Sequence, residues 1–189
     1  ISLSSMNAVS IYVAKYNASG TCMFANKIGS NGSNYDYGLA IAVDPQGYSV
    51  ITGQFAGTAT FYPGKTLTSF GGYDVYVARY NPTGIGKGAE KAGGLGNDEG
   101  TGICWLPTNE FVLTGNYQNS GSFGSNSINA QPGDIYASFI TRIPSTFTGI
   151  TEINFGENIS VYPNPTRDFV SIEVPSNEKI SSIEIKNMV

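Results

Sequence analysis

The chain has 189 residues, of which only 13% are charged, and its formal net charge is −4. Its ten Lys and Arg residues are scattered, which argues against binding to nucleic acid or to a membrane surface. The sequence has no histidine, which excludes the HExxH zinc site and the His-dependent serine and cysteine nucleophiles. The 24 glycines and 12 tyrosines predict β-strands joined by tight turns.

The N-terminus and the cysteines give few signals. The stretch ISLSSMNAVS does not begin with Met and lacks the charged and apolar regions of a signal peptide, so we expect a processed chain or a fragment. No apolar run reaches the ~18 residues of a membrane-spanning helix, and no membrane insertion is predicted. Cys22 and Cys104 either pair or remain as two buried free thiols, and the second arrangement is favoured.

The first predicted strand contains a heptad that recurs along the chain. Residues 11–17 read IYVAKYN and residues 75–81 read VYVARYN, so five of seven positions are identical at an offset of 64 (75 − 11). A weaker copy, IYASFIT, occupies residues 135–141. Repeated segments of this kind indicate stacked units, none of which buries its faces alone.

The sequence between these heptads is also repeated. Residues 35–61 match residues 97–123 without a gap at an offset of 62 (97 − 35), and eight of the 27 positions are identical. The period is therefore about 60 residues, as in repeat proteins built from supersecondary units. The identical pairs are Asp36/Asp98, Gly38/Gly100, Ile41/Ile103, Pro45/Pro107, Val50/Val112, Thr52/Thr114, Gly53/Gly115 and Phe61/Phe123.

One complete repeat is predicted to hold four short antiparallel strands. They read GLAIAV, YSVITGQF, DVYVARY and KGAEKAG, separated by Pro, Gly and Asn turns and by a Gly/Thr-rich loop before Asp74. GLAIAV and VYVA are continuous apolar runs, which predict strands buried on both faces, as in the blades of a β-propeller. We predict an all-β fold with about two four-stranded blades of a partial propeller. Residues 1–144 form this region, with blade fragments at 11–29, 38–94 and 100–143.

Four segments define a repeat motif: residues 50–53 and 113–115 carry the V-x-T-G strand, while 74–84 and 11–20 carry the heptad and its turn. This motif resembles the bacterial β-propeller repeat family often labelled SBBP. The resemblance implies a propeller fold and no particular activity, since propellers host many functions. Propellers close with about 4–8 blades. We therefore expect further repeats upstream, the alternative being several chains that assemble one ring.

After Pro144 the sequence changes character. Residues 145–158 are predicted to be a linker, and residues 159–189 alternate apolar with polar positions, as in half-buried strands of a partial β-sandwich. A strand-to-turn corner is predicted where two prolines fix φ and supply no ladder donor. The corner comprises Tyr162, Pro163, Asn164 and Pro165.

The order VYPNPT, FVSIEV and IEIKN in this tail resembles the C-terminal sorting domain of proteins that the type IX secretion system of Bacteroidetes exports. The resemblance implies that Tyr162, Pro163, Asn164 and Pro165 form a sorting signal read by the secretion machinery. It also implies an extracellular or outer cell-surface location. The family domain continues for several more strands, so residues 159–189 are expected to be a truncated sorting domain.

Repeated carboxylates are the first candidates for chemistry. Asp36 and Asp98 precede the innermost strands, and Asp74 and Asp134 precede the second and third heptads. Such carboxylates suit calcium at a propeller rim, or they accept backbone N–H bonds in turns. We predict the turn role, because residues repeated in repeat proteins usually serve the repeat.

Two alternative functions remain open. The adjacent acids Asp98 and Glu99, with Glu90 nearby in sequence, are the candidates for a carboxylate-based hydrolase, which needs two carboxylates about 5–10 Å apart. Aromatic side chains on loops suit a carbohydrate-binding propeller that serves polysaccharide degradation, although core packing is favoured for the tryptophan. The candidate aromatic residues are Trp105, Tyr117, Phe55, Tyr62 and Tyr73.

The function predicted from the sequence is that of a non-enzymatic scaffold for binding or adhesion. No catalytic, cofactor-binding or metal-binding residue is predicted. The glycine-rich residues 84–88 and 93–96 lack the helix and the GK[ST] signature of a nucleotide loop and are predicted to be turns. The expected partners are the type IX secretion machinery through the tail, and a surface glycan or protein through the repeats.

Overall fold

The computed structural model describes residues 1–3, 9–30, 34–124, 126–131, 135–144, 160–162 and 171–173. In these residues all regular secondary structure is β, which confirms the all-β class, and there are several antiparallel sheets, none of them closed. The chain divides into two compact regions, Ile1–Gly149 and Ile150–Val189.

The described residues of the first region form eleven strands. The repeat pattern places most of them close to the predicted positions, with turns at Asn, Asp and Gly residues between them. In chain order the strands are β1 (Ile11–Tyr16), β2 (Cys22–Ser30), β3 (Tyr37–Val43), β4 (Ser49–Tyr62), β5 (Lys65–Tyr80), β6 (Gly86–Ala92), β7 (Glu99–Leu106), β8 (Glu110–Tyr117), β9 (Ser120–Phe123), β10 (Asn126–Asn129) and β11 (Ala137–Pro144).

Strands β3, β4, β5 and β6 pair in chain order as an antiparallel sheet, here called the central meander. Asx turns connect its strands: Asp44 Oδ1 accepts the N–H groups of Gln46 and Tyr48 between β3 and β4. Asn81 Oδ1 accepts those of Thr83 and Ile85 between β5 and β6. A side chain that replaces the turn's missing backbone acceptor explains why Asp and Asn recur at these corners.

A hairpin and a separate sheet flank the central meander, and the hairpin belongs to the same six-stranded sheet as the meander. Strands β1 and β2 form the N-terminal hairpin, which joins the meander where Gly29 and Ser30 pair with Thr60 and Ala59 of β4. Strands β7, β8 and β11 form the distal sheet, in order β11-β8-β7, and the β9–β10 hairpin is inserted between β8 and β11. The meander therefore has a neighbour on each side.

Strands β4 and β5 of the central meander are buried on both faces. Ile51, Phe55 and Tyr76 point into a first core shared with the N-terminal hairpin. Val50 and Val75 point into a second core shared with Phe111 and Leu113 of the distal sheet, among others. Alternate residues of one strand therefore enter different cores, which explains why residues 75–78 of β5 form a continuous apolar run.

Two sequence predictions about these strands are wrong. The segment between YSVITGQF and Asp74 is not a loop, because β4 and β5 extend into a long hairpin arm in which Ala59 pairs with Leu67. Phe61 and Ala59 are buried there while the threonines face outward, so the Gly/Thr-rich composition conceals an alternating strand. Strand β3 is not buried on both faces either, since Ile41 is 54% exposed.

The second compact region contains two described strands, β12 (Ser160–Tyr162) and β13 (Ser171–Glu173). They pair antiparallel, with Val161 opposite Ile172. This pairing places two of the tail's predicted strand segments in one ladder. The predicted strand around Ile183 and Ile185 lies outside the described residues.

Candidate functional site

The repeated aspartates form the candidate site, and the first of them, Asp36, is completely buried. Its Oδ2 accepts the backbone N–H of Ser30 at 2.7 Å and the hydroxyl of the same residue at 2.8 Å. Its Oδ1 accepts the N–H of Ala56 at 3.3 Å. Asp36 therefore ties the end of β2 to β4, and so joins the N-terminal hairpin to the central meander.

Asp98 makes the same connection one repeat later. Its Oδ2 accepts the N–H of Gly94 at 2.7 Å, and its Oδ1 accepts the N–H of Gln118 at 2.9 Å. Gly94 is offset from Ser30 by 64 residues (94 − 30), and Gln118 from Ala56 by 62 (118 − 56). Each aspartate therefore joins a position that recurs at 64 residues to one that recurs at 62. At this junction the outer strand of one unit contacts the inner strands of the next.

Asp74 adds a second carboxyl group to the junction at Asp98. Its Oδ2 accepts the N–H of Phe70, while its Oδ1 has no N–H donor among the described residues. The carboxyl groups of Asp74 and Asp98 both face Gly93, where an added Cβ would collide with both of them. The pKa of Asp74 is raised to about 6, chiefly by burial and further by the charge of Asp98, and the pKa of Asp98 is raised by burial. Asp74 is therefore protonated below about pH 6 and ionised above it.

The acid pair has a counterpart of different chemistry at the first junction. Gly93 lies between Asp74 and Asp98 with φ at +138°, and a Cβ there would collide with both carboxyl groups. Gly29 is its equivalent at the offset of 64, and a Cβ there would lie 3.4 Å from the Ser10 hydroxyl. Ser10 thus stands where the second junction has Asp74, so an acid pair replaces a serine–acid arrangement.

The three candidate hydrolase residues all have structural contacts. Asp98 is 1% exposed and engaged by backbone donors, so it is closed to a substrate. Glu99 Oε1 accepts the side-chain amide of Asn116 at 3.2 Å. Glu90 forms an exposed ion pair with Lys65 at 3.8 Å. Asp36 and Asp98 accept backbone N–H bonds as predicted, and Asp134 lies outside the described residues.

Metal binding finds no support in the described part of the chain. No group of three or more Cys, Asp and Glu side chains lies close enough there to hold an ion. Asp36 and Asp98 instead accept hydrogen bonds from backbone N–H groups, as a carboxylate does when it caps a turn.

The five aromatic candidates pack within the fold. Phe55 is completely buried and meets Phe61 edge to face at 5.6 Å. Trp105 packs against Phe111 at 5.1 Å in the second core, and Tyr117 packs edge to face on Phe123 at 6.4 Å. Tyr62 packs edge to face on Tyr80, and Tyr73 is half-buried. Phe55 and Tyr117 are therefore core residues, whereas Trp105, Tyr62 and Tyr73 are half-buried.

The cysteines are free, and the expectation that both are buried is wrong. Cys22 is half-buried and its thiol donates to the carbonyl of Phe24 at 3.2 Å, whereas Cys104 is exposed. Cys104 follows Ile103, which points into the second core, so the alternation of β7 turns its thiol outward. The glycine segments behave as predicted turns or tight contacts, with Gly84 at φ +86°.

Only part of the predicted sorting signal is described. Tyr162 is the last residue of β12 and pairs with Ser171 of β13. Pro163, Asn164 and Pro165 lie outside the described residues. The described residues include no helix that is long and apolar enough to cross a membrane.

The feature that sequence reasoning missed is a groove at the N-terminal hairpin. It measures ≈ 390 Å³ and is lined by β1 and by the exposed face of β3, including Val13, Leu39 and Ile41. The only sequence signal of this groove is the apolar GLAIAV strand. Such a strand is expected to be buried on both faces, but the described residues leave this face exposed.

No protein-family model matches the chain, and no curated protein matches it either.

Proposed function

We propose that the chain is a non-enzymatic scaffold for binding or adhesion, secreted or held at the cell surface, and exported by a type IX secretion system through its C-terminal segment. The scaffold role is supported chiefly by Asp36 and Asp98, whose carboxylates join successive units by hydrogen bonds. In a site built for turnover these carboxylates would face a substrate, whereas here their oxygens are consumed by backbone donors.

We further infer that the N-terminal hairpin, the central meander and the distal sheet are blades of a β-propeller. Three features support this finer fold. The units stack face to face through two cores. The bulge between Gly38 and Ala40 recurs between Gly100 and Gly102, at the offset of 62. A blade would also place β3 and β7 nearest the axis, in agreement with their small residues.

The candidate residues of the two alternatives have structural contacts. The acids of the hydrolase form hydrogen bonds or an ion pair within the fold, and four of the five aromatic candidates pack against other rings. The export role rests on the sequence of the tail, whose motif begins at Val161 and Tyr162 in β12. Binding at the surface is the function that a rigid repeat stack with exposed apolar faces serves best, because large exposed apolar patches usually mark interaction sites.

The proposal is tested by following the full chain, produced with an export leader, in a bacterium with a type IX system and in a strain that lacks it. We expect the chain on the outer surface of the first strain and retained inside the second, as detected by protease accessibility and immunoblotting. Tyr162→Ala together with Asn164→Ala should also cause retention, whereas Tyr16→Ala, an exposed tyrosine of the repeats, should not. Equal export from both strains would refute the export role.

A further inference from the structure

The two junctions between successive units differ in one side chain. At the first junction a Cβ on Gly29 would lie 3.1 Å from Asp36 Oδ2 and 3.4 Å from the Ser10 hydroxyl. A hydroxyl group can donate a hydrogen bond to a carboxylate whatever the pH. The first junction therefore places one carboxylate beside a neutral donor.

The second junction has a carboxyl group where the first has that hydroxyl. A Cβ on Gly93 would collide with Asp74 Oδ1 and with Asp98 Oδ2, so both oxygens border the same backbone position. Asp74 Oδ1 is buried and has no hydrogen-bond donor among the described residues. When both side chains are ionised, neither can donate to the other, and two negative charges lie close together away from solvent.

Lys91 of β6 is the cation that acts on this pair, and its charge favours the ionised form of Asp74. Its ammonium also donates to the carbonyl of Thr68 and lies 3.5 Å from the centre of the Phe70 ring. Burial raises the pKa of Asp74 to about 6 despite this lysine. The lysine therefore offsets only part of the cost of a second buried charge.

The other elements at the second junction contribute uncharged groups. After β8 the backbone N–H of Gln118 binds Asp98 Oδ1, and after β6 that of Gly94 binds Asp98 Oδ2. Ser122 of β9 exchanges two backbone hydrogen bonds with Gly93. Asp98 thus holds the end of β6 against the end of β8, and a movement of its carboxyl group away from Asp74 would break these links.

We propose that the second junction is a pH-sensitive switch: the bonds from Gly94 and Gln118 to Asp98 hold while Asp74 is protonated, and they open locally when both acids are ionised. The first junction, with Ser10 in place of Asp74, stays closed over the same range. The pKa of Asp74 places the change near pH 6. This inference goes beyond the proposed function and does not depend on export.

Hydrogen exchange of the full chain, followed by NMR at pH 5.0 and 7.5 and corrected for intrinsic exchange rates, tests the switch. The protection factors of the Gly94 and Gln118 amides should fall about tenfold at the higher pH. This factor follows if the pKa of Asp74 returns on opening from about 6 to its ordinary value of 3.8. The equivalent amides of the first junction, those of Ser30 and Ala56, should keep their protection.

Exchanging the residue that distinguishes the junctions supplies the matched controls. Asp74→Ser should make the protection of Gly94 and Gln118 independent of pH, because a neutral donor replaces the second acid. Ser10→Asp should make the protection of the two first-junction amides fall at pH 7.5. Asp74→Asn retains the shape of the native side chain and replaces Asp74→Ser if the serine impairs folding, which circular dichroism detects.

Equal protection of Gly94 and Gln118 at both pH values in the wild-type chain would overturn the switch. A pH-dependent loss that persists in Asp74→Ser and Asp74→Asn would overturn it too, because the pH response would then come from another group. A loss shared by all four amides would show global unfolding in place of a local opening. Export and surface adhesion are measured in cells independently of these amides, so failure of the switch leaves the proposed function standing.

Discussion

At the scale of single residues, the decisive side chains are buried aspartates. Asp36 and Asp98 each join two neighbouring units by accepting backbone N–H groups from both. Asp74 places a second carboxyl group beside Asp98, whereas Ser10 occupies the equivalent place at the first junction. Lys91 moderates the charge of this pair, and its ammonium lies 3.5 Å from the centre of the Phe70 ring.

The acid pair makes stability depend on pH. Folding raises the pKa of Asp74 from 3.8 to about 6, so its protonated form stabilises the fold fully below pH 3.8, and this contribution is lost as the pH rises through 6. Asp74→Asn supplies a permanent donor to Asp98. It should raise the melting temperature at pH 7.5 by about 2–4 °C, as expected for about 1 kcal/mol, and change little at pH 4.5. Differential scanning calorimetry at both pH values measures this.

Asp36→Asn is the matched control for this variant. Asp36 accepts bonds from three donors, and the amide would turn an NH₂ group towards some of them. The melting temperature should therefore fall at both pH values, because buried donors lose their acceptor. If Asp74→Asn lowers the melting temperature at pH 7.5 as Asp36→Asn does, the ionised form of Asp74 does not destabilise the fold.

At the scale of the strand, the V-x-T-G motif is explained by the bulge in the neighbouring strand. Gly53 lies beside the bulge between Gly38 and Ala40, and a Cβ at Gly53 would collide with the carbonyl of Tyr37. Thr52 donates its hydroxyl to the carbonyl of Tyr76 at 2.7 Å, which fastens β4 to β5. The motif thus lets β4 accept a bulged partner on one edge and hold a regular one on the other.

Gly53→Ala should destabilise the chain by about 1–3 kcal/mol, because the carbonyl of Tyr37 is backbone and cannot move without disturbing β3. Urea denaturation measures the loss. Gly102→Ala is the matched control in the distal sheet, where the nearest atom to a new Cβ is the rotatable hydroxyl of Thr114 at 2.8 Å. A loss at Gly53 no larger than that at Gly102 would contradict the bulge explanation.

Several strand properties could be predicted from sequence, and others could not. The continuous apolar run of β5 and the Asx turns at Asp44 and Asn81 follow from local pattern, because burial on both faces and turn residues leave short-range signals. The expectation that Asp36 and Asp98 accept backbone N–H groups also holds, but the groups lie in two different units. The β4–β5 arm was missed because its threonines and glycines are typical of loops. The contact between Asp74 and Asp98 was missed because it joins two units, and no local spacing encodes it.

At the scale of the whole molecule, the central meander belongs to both cores, so neither core can be lost alone. Tyr76 and Tyr80 report on the first core, and Trp105, the one tryptophan of the sequence, reports on the second. Shared strands of this kind couple neighbouring units, as nearest-neighbour interfaces do in other repeat proteins.

Urea unfolding followed by tryptophan fluorescence and by near-UV circular dichroism of the tyrosines should therefore give coincident curves. Phe111→Ala, at a completely buried position of the distal sheet, should lower both midpoints together and cost about 3–5 kcal/mol. A tryptophan transition that shifts alone to lower urea would show that the distal sheet unfolds separately from the rest.

The two sequence offsets bear on the history of the repeat. Outer strands recur at 64 residues and inner strands at 62, so the connection from Ser30 to Asp36 is two residues longer than the one from Gly94 to Asp98. The aspartate reaches the same backbone positions in both copies despite this difference. A duplicated gene segment could therefore gain or lose codons between units without altering how the units pack, because the junction is set by a side chain and not by the length of the connection.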